Sequence, residues 1–170
     1  EQEIPRPKNK RKRRTHYSGK KKRHTIKTQI TVNKDGLIVH KTRHARGSRH
    51  DYSLFKWSHP CLPDTVFLGV DRGYDGIQND YPTLKCEVPF KRRSPGRGKR
   101  VVKTKELPPE QKSFNQELSK ERVIVEHTIS RLKKFRIMAH KFRNRLKHYD
   151  IMTGIVCGLI NFRITGTTAV

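Results

Sequence analysis

Two carboxylates stand out in a chain that has few of them, since 15 Asp and Glu face 40 Lys and Arg and leave a formal charge of +25 over 170 residues. Asp71 follows the short apolar run Val66-Phe67-Leu68-Gly69-Val70 and precedes Arg72-Gly73-Tyr74-Asp75-Gly76. The run has the pattern of a strand covered on both faces, and an open α/β sheet places its ligand crevice at the carboxyl ends of such strands. Asp71 is therefore either a site carboxylate or the cap of the turn that follows. Glu126 sits between Val125 and Ile129 in a segment of helical periodicity. At 100° per residue, Arg122, Glu126 and Lys133 project within about 60° of one another beside the apolar stripe. That trio reads either as a ladder of i,i+4 ion pairs, each worth roughly 0.3–0.5 kcal/mol, or as a metal ligand with phosphate-binding neighbours. Hard cations such as Mg²⁺ take oxygen ligands, usually one or two carboxylates plus phosphate and water. Two such ions about 3.5–4 Å apart activate an attacking oxygen and stabilise a leaving one in phosphodiester chemistry. A strand-end Asp and a helix-borne Glu in a basic chain suit that task.

The elements that must position these groups are legible from periodicity. Ile26, Thr28, Ile30 and Val32 alternate with polar residues, Asn33-Lys34-Asp35-Gly36 supplies a turn, and Leu37–Lys41 continues, so 25–41 reads as a β-hairpin. Leu84, Cys86, Val88 and Phe90 alternate as a further strand. From Pro108 the period changes to helix, with Phe114, Leu118, Val125, Ile129 and Leu132 on one stripe. A last helix from about His148 to Arg163 carries Met152, Ile155, Val156, Leu159 and Ile160, and a short one spans Asp51–Lys56 with Asp51 as its cap. Strands first and long helices last indicate one mixed α/β domain. Tyr52 and Trp57 read as core residues.

The charge is uneven. Residues 1–28 hold 12 Lys and Arg against Glu1 and Glu3, a segment that favours a polyanion such as nucleic acid through counterion release or else stands as a solvated tail. Within it, Lys20, Lys21, Lys22 and Arg23 form a cationic run, and 91–108 makes a second basic stretch broken by Pro95, Gly96 and Gly98. This balance argues against a metabolic enzyme for small neutral substrates. No apolar run approaches the roughly 18–20 residues that cross a bilayer. Cys61, Cys86 and Cys157 lie too far apart for a disulfide framework or a metal knuckle, and His16, His24 and His50 lack zinc-ligand spacing.

The blocks HYSGKKKRHTIKTQI (16–30), GSRHDYSLF (47–55), GVDRGYDGI (69–77) and RVIVEHTISRLKKFRI (122–137) resemble the DDE transposases of bacterial insertion sequences, in the IS-five group and its Harbinger-like relatives. The most specific piece is Arg-x3-Glu-x6-Lys, met by Arg122, Glu126 and Lys133, although the related signature carries a Tyr where this chain has Ser119. The resemblance implies an RNase H-like fold, a mixed β-sheet flanked by helices, in which three acids hold two Mg²⁺ or Mn²⁺ ions for strand cleavage and transfer at transposon ends. It makes Asp71 the second acid and Glu126 the third, gives Arg122 and Lys133 to the phosphates of the terminal nucleotides, and makes Asp51 a site neighbour. It puts the first Asp, and a helix-turn-helix region, ahead of Glu1, so the chain is expected to begin before or within the first strand of its fold and to cleave little by itself. The organisation expected is a basic segment at 1–24, the catalytic domain at 25–163 with its basic loop, and a tail at 164–170. The partners expected are transposon-end and target DNA, with no membrane and with a dimer or higher multimer on DNA; a bacterial host implies a cytoplasmic, nucleoid-associated location. The alternative from another class is a non-catalytic basic nucleic-acid-binding protein, or an inactive transposase relic, whose acids are structural.

Overall fold

Ile26 is fully buried because it lies on the central strand of a small antiparallel sheet. A computed structural model describes residues 1–58, 62–63, 65–91 and 106–168, so most of the basic stretch 91–108, as well as Cys61, lies outside the described residues. These form two compact units, Glu1–Pro60 with Ile124–Val170, and Cys61–Val123.

In the first unit, β1 (Gln2–Glu3) pairs antiparallel with one edge of β3 (Arg23–Lys27) in the register Gln2↔Ile26. On the other edge β3 meets β2 (Tyr17–Ser18) through His24 and β6 (Ala45–Arg46) through Ile26. The α1 helix (Lys10–His16) begins where the Asn9 side chain accepts the N–H groups of Arg11 and Lys12, so the basic segment has elements of its own and Gln2 is built into the sheet. Glu3 anchors that segment, its carboxylate 2.7 Å from both Arg23 and Lys141. Hydrogen bonds from Lys141 first, then Arg23, hold its carboxyl below the ordinary glutamate value of 4.5.

The expected hairpin is shorter at its start than the alternation implies. The β4 strand (Ile30–Val32) pairs with β5 (Ile38–Lys41) around the Asn33–Gly36 turn, where Gly36 has φ +83°, a value glycine adopts at no steric cost. Residues 23–27 belong to the other sheet because the chain turns away at Thr28-Gln29, where the Gln29 N–H donates to the Thr42 hydroxyl. The hairpin rests on the last helix, α6 (Tyr149–Thr168). Asn161 there receives the Ile38 N–H and donates to the Ile38 carbonyl, both at 2.9 Å. The other end of α6 is tied by Asp150, which accepts from the His44 backbone N–H and meets its Nδ1, both at 2.8 Å. Ile38, Leu132, Val156, Cys157 and Ile160 form one core cluster, and Ile4, Ile26, Phe142 and Tyr149 another.

Periodicity located both long helices and part of their buried faces, since Leu118, Leu132, Val156 and Ile160 are buried. On α4 (Pro109–Lys133) the fully buried residue at the hairpin end is Thr128, which donates to the Gly36 carbonyl at 3.1 Å, while Ile129 is turned outward. On α6, Ile155 and Leu159 are exposed beside buried Val156 and Ile160. In the short helix α2 (Asp51–Ser58), Tyr52 is buried as expected but Trp57 is 49% exposed, with the Arg49 guanidinium 5.1 Å above its ring. The cap is also not the one expected: His50 Nδ1 accepts the Tyr52 N–H, and Asp51 turns to Lys27.

Gly47, where β6 ends, carries the tightest backbone approach. Its N–H donates to the Thr25 carbonyl at 3.0 Å, and a Cβ there would overlap the Thr25 hydroxyl and come within 2.6 Å of the Thr25 carbonyl and 2.9 Å of the His16 carbonyl. Two of those obstacles are backbone, which cannot swing aside. Gly47→Ala is expected to cost about 3 kcal/mol by overpacking and to lower Tm by roughly 10 °C; an unchanged thermal melt would contradict it.

In the second unit, β7 (Phe67–Gly69) pairs parallel with β8 (Lys85–Glu87). The expectation that β7 is covered on both faces is corrected: Phe67 is 67% exposed and only Val70, just past the strand, is buried. Among the described residues β8 alone pairs with β7, so its apolar run supplies contacts at one end and not a sheet interior. Leu118 on α4 lies against Gly69 of β7, and Tyr74 and Ile77 on α3 (Ile77–Asp80) are buried in the same unit. Phe90 stands edge-on to Phe114, and Asn115 clasps both the N–H and the carbonyl of Phe90.

Candidate active site and its basic surroundings

Asp71 lies two residues past β7, where the strand gives way to a 3-10 turn at Arg72–Tyr74. Its backbone is extended and its Oδ1 accepts the Arg72 N–H at 2.8 Å, so the capping reading is met. The same oxygen lies 3.3 Å from Nη1 of Arg122, with the Asp71 side chain 60% exposed. A carboxylate with one oxygen engaged by a cap and a guanidinium keeps its Oδ2 available. Among the described residues Arg122 thus pairs with Asp71 and not with a ladder along α4.

In the other unit, Glu126 is exposed on α4 and makes no ion pair or hydrogen bond among the described residues. Lys133, the last residue of that helix, is exposed as well. Asp51 accepts from Lys27 Nζ at 3.1 Å, and the same ammonium donates to the Arg49 carbonyl at 2.8 Å. Sequence spacing did not connect these groups. Lys27 in particular is separated from Asp51 by 24 residues, and nothing local in the sequence signals the pair.

Lys20, Lys21 and Lys22 stand exposed on the turn between β2 and β3. Lys22 has φ +55° and its N–H donates to the Ser18 carbonyl, which closes the turn and spreads three ammonium groups at its tip. Arg23 is different in kind, because Glu3 holds its guanidinium.

Among the described residues no three His, Cys, Asp or Glu side chains gather into a metal-holding group. Asp71 and Glu126 are nevertheless hard, solvent-reached oxygen donors of the type Mg²⁺ or Mn²⁺ takes. No helix among the described residues is long and apolar enough to cross a membrane.

Comparison with known proteins is consistent with these features. A family model described as DDE superfamily endonuclease matches residues 1–161. A probable transposase for insertion sequence element IS702 from Microchaete diplosiphon is 32% identical over 164 residues, which is 96% of this chain and 55% of that protein. The chain thus spans about half the length of that curated relative. No solved structure matches.

Proposed function

The chain belongs to the DDE superfamily of endonucleases, and from that premise we propose that it is the catalytic part of a transposase that binds the DNA ends of a mobile element and cleaves and transfers strands. The observation that carries this reading is the exposed Asp71 carboxylate at the end of a strand with Arg122 held against it. Asp71 and Glu126 would hold Mg²⁺ or Mn²⁺ together with a third acid, which the family resemblance puts ahead of residue 1; such ions activate an attacking oxygen and stabilise a leaving one. Arg122 orients the Asp71 carboxylate in the free protein and is available to a scissile or neighbouring phosphate, whose bidentate geometry suits a guanidinium. Lys133 offers a compact charge to a second phosphate. Asp51, tied to Lys27, is the site neighbour that the family resemblance implies.

The succession of an antiparallel hairpin, a parallel strand ending at an Asp and a late helix bearing a Glu supports an RNase H-like reading of the mixed α/β architecture. On this reading residues 1–24 and the 91–108 stretch follow the DNA backbone, 25–163 is the catalytic domain, and the protein acts as a multimer on DNA in the cytoplasm of a bacterial host. The test is strand cleavage and transfer by the complete gene product on duplexes that carry the element's ends. Activity that requires Mg²⁺ or Mn²⁺ and stops on chelation is expected; cleavage indifferent to EDTA would overturn the proposal.

A further inference from the structure

Five cations and two aromatic rings surround an open cleft of about 950 Å³ bordered by α1 and the β2–β3 pair; Arg6, Arg11, Arg13, Arg14, Tyr17 and His24 are among its lining residues. None of its arginines pairs with a carboxylate among the described residues. The two acids of the segment face elsewhere: Glu3 is held by Arg23 and Lys141, and Glu1 accepts from the Thr25 hydroxyl. Arg13 is the most constrained of the group. Its Nη2 donates to the Lys8 carbonyl at 3.1 Å, yet its Nε is sealed from solvent with no acceptor in reach, and a buried donor without a partner is costly. Burial first, then Arg6, His16 and Arg13, push the His24 imidazole toward the neutral form.

Phosphate groups satisfy the guanidinium forks, but the cleft holds an aromatic side chain too. Tyr17 is 43% exposed and stands edge-to-face with His24 at 5.7 Å and 71°. An acidic peptide would leave that ring unused, and an anionic membrane is flat where this surface is concave. Bases in a duplex are already stacked on one another, so an aromatic ring gains most from a base that is unpaired. We propose that this cleft is a binding site for an unpaired DNA strand, in which the arginines take successive phosphates and Tyr17 stacks on one base. The site uses none of Asp71, Glu126, Arg122 or Lys133. It rests on the proposed function only in taking DNA as the polyanion.

The experiment is fluorescence anisotropy at fixed low salt with a single-stranded oligothymidylate and a duplex of equal length, joined to an NMR titration of His24 in the free protein and the oligothymidylate complex. Tyr17→Ala is expected to weaken single-strand binding on the order of tenfold, with duplex binding changed less and with affinity restored in Tyr17→Phe. The triple variant Arg6→Gln/Arg11→Gln/Arg14→Gln, at exposed positions, is expected to weaken binding of both. The pKa of His24 is expected to rise in the complex, since phosphate charge favours the imidazolium against Arg6, His16 and Arg13. Single-strand binding as tight in Tyr17→Ala as in the parent protein, or an unmoved His24 titration in the saturated complex, overturns the proposal and leaves the proposed function standing. Failure of the parent protein to bind either DNA overturns both.

Discussion

Replacing Glu126 by Gln, or Asp71 by Asn, in the complete gene product is expected to lower metal-dependent strand cleavage and transfer by about a thousandfold or more. Loss of a residue that merely supports a metal ligand costs on the order of 10- to 100-fold, and each substitution here removes a proposed ligand itself. Both replacements keep the shape of the side chain and remove its charge, so chemistry and folding can be told apart. Glu126 is exposed and makes no ion pair or hydrogen bond among the described residues, and a surface change of that type stays within about 0.5 kcal/mol. Asp71 loses its pairing with Arg122, which at side-chain exposures of 60% and 38% is worth roughly 0–1 kcal/mol. An Asn there still has a carbonyl oxygen to accept the Arg72 N–H. Near-parental melting with abolished cleavage is therefore the expected pair of results. Full activity in both variants would assign the acids a structural role and favour a non-catalytic nucleic-acid-binding protein.

DNA affinity is expected to fall about a thousandfold between roughly 50 and 200 mM salt if some six phosphates are engaged. The three ammonium groups at the β2–β3 turn should account for a definable share of that dependence. Lys20→Gln/Lys21→Gln/Lys22→Gln is expected to flatten the slope of log affinity against log salt by roughly three units, about one for each phosphate that no longer meets a lysine. Arg23→Gln is expected to change it less, because Glu3 already neutralises that guanidinium at 2.7 Å. The left-handed backbone at Lys22 is as tolerable for Gln as for Lys, so the triple variant adds no strain. The measurement is a series of equilibrium titrations over salt on one duplex. An affinity flat across that range would contradict the electrostatic account, and equal slopes for the triple variant and the parent would show that these lysines do not meet the DNA.

Several sequence readings and the structure part company at burial. Alternation at 26–32 marked extended chain correctly, yet could not tell that residues 23–27 and 30–32 enter different sheets, since both pieces carry the same period. The 3.6-residue stripe on α4 included Ile129 and passed over Thr128, although Thr128 is the residue without exposed surface and the one that bonds Gly36. A threonine whose hydroxyl finds a carbonyl can be buried in a core, and a periodicity of apolar residues alone cannot see it. The same limit applies to Val66–Val70, where hydrophobicity implied a covered strand and a two-stranded arrangement leaves Phe67 in solvent. Gly47 belonged to a recognisable block, but its need to be glycine is visible only from Thr25 and His16, which lie far from it in the chain.

By itself the sequence determined the family, through Asp71 with its glycine turn and Arg122, Glu126 and Lys133 at helical spacing, and its net charge of +25, which no packing could neutralise internally, made a polyanion the partner to expect. These are local or additive properties, carried by residue type and separation. The tertiary structure decided which charges are already engaged and which remain. Arg23, Arg122 and Lys27 are held by Glu3, Asp71 and Asp51, whereas the arginines around Tyr17 and His24 have no acid to meet among the described residues. An ion pair needs atoms within about 4 Å, and only the folded chain brings residues 20, 51 or 24 positions apart to that distance.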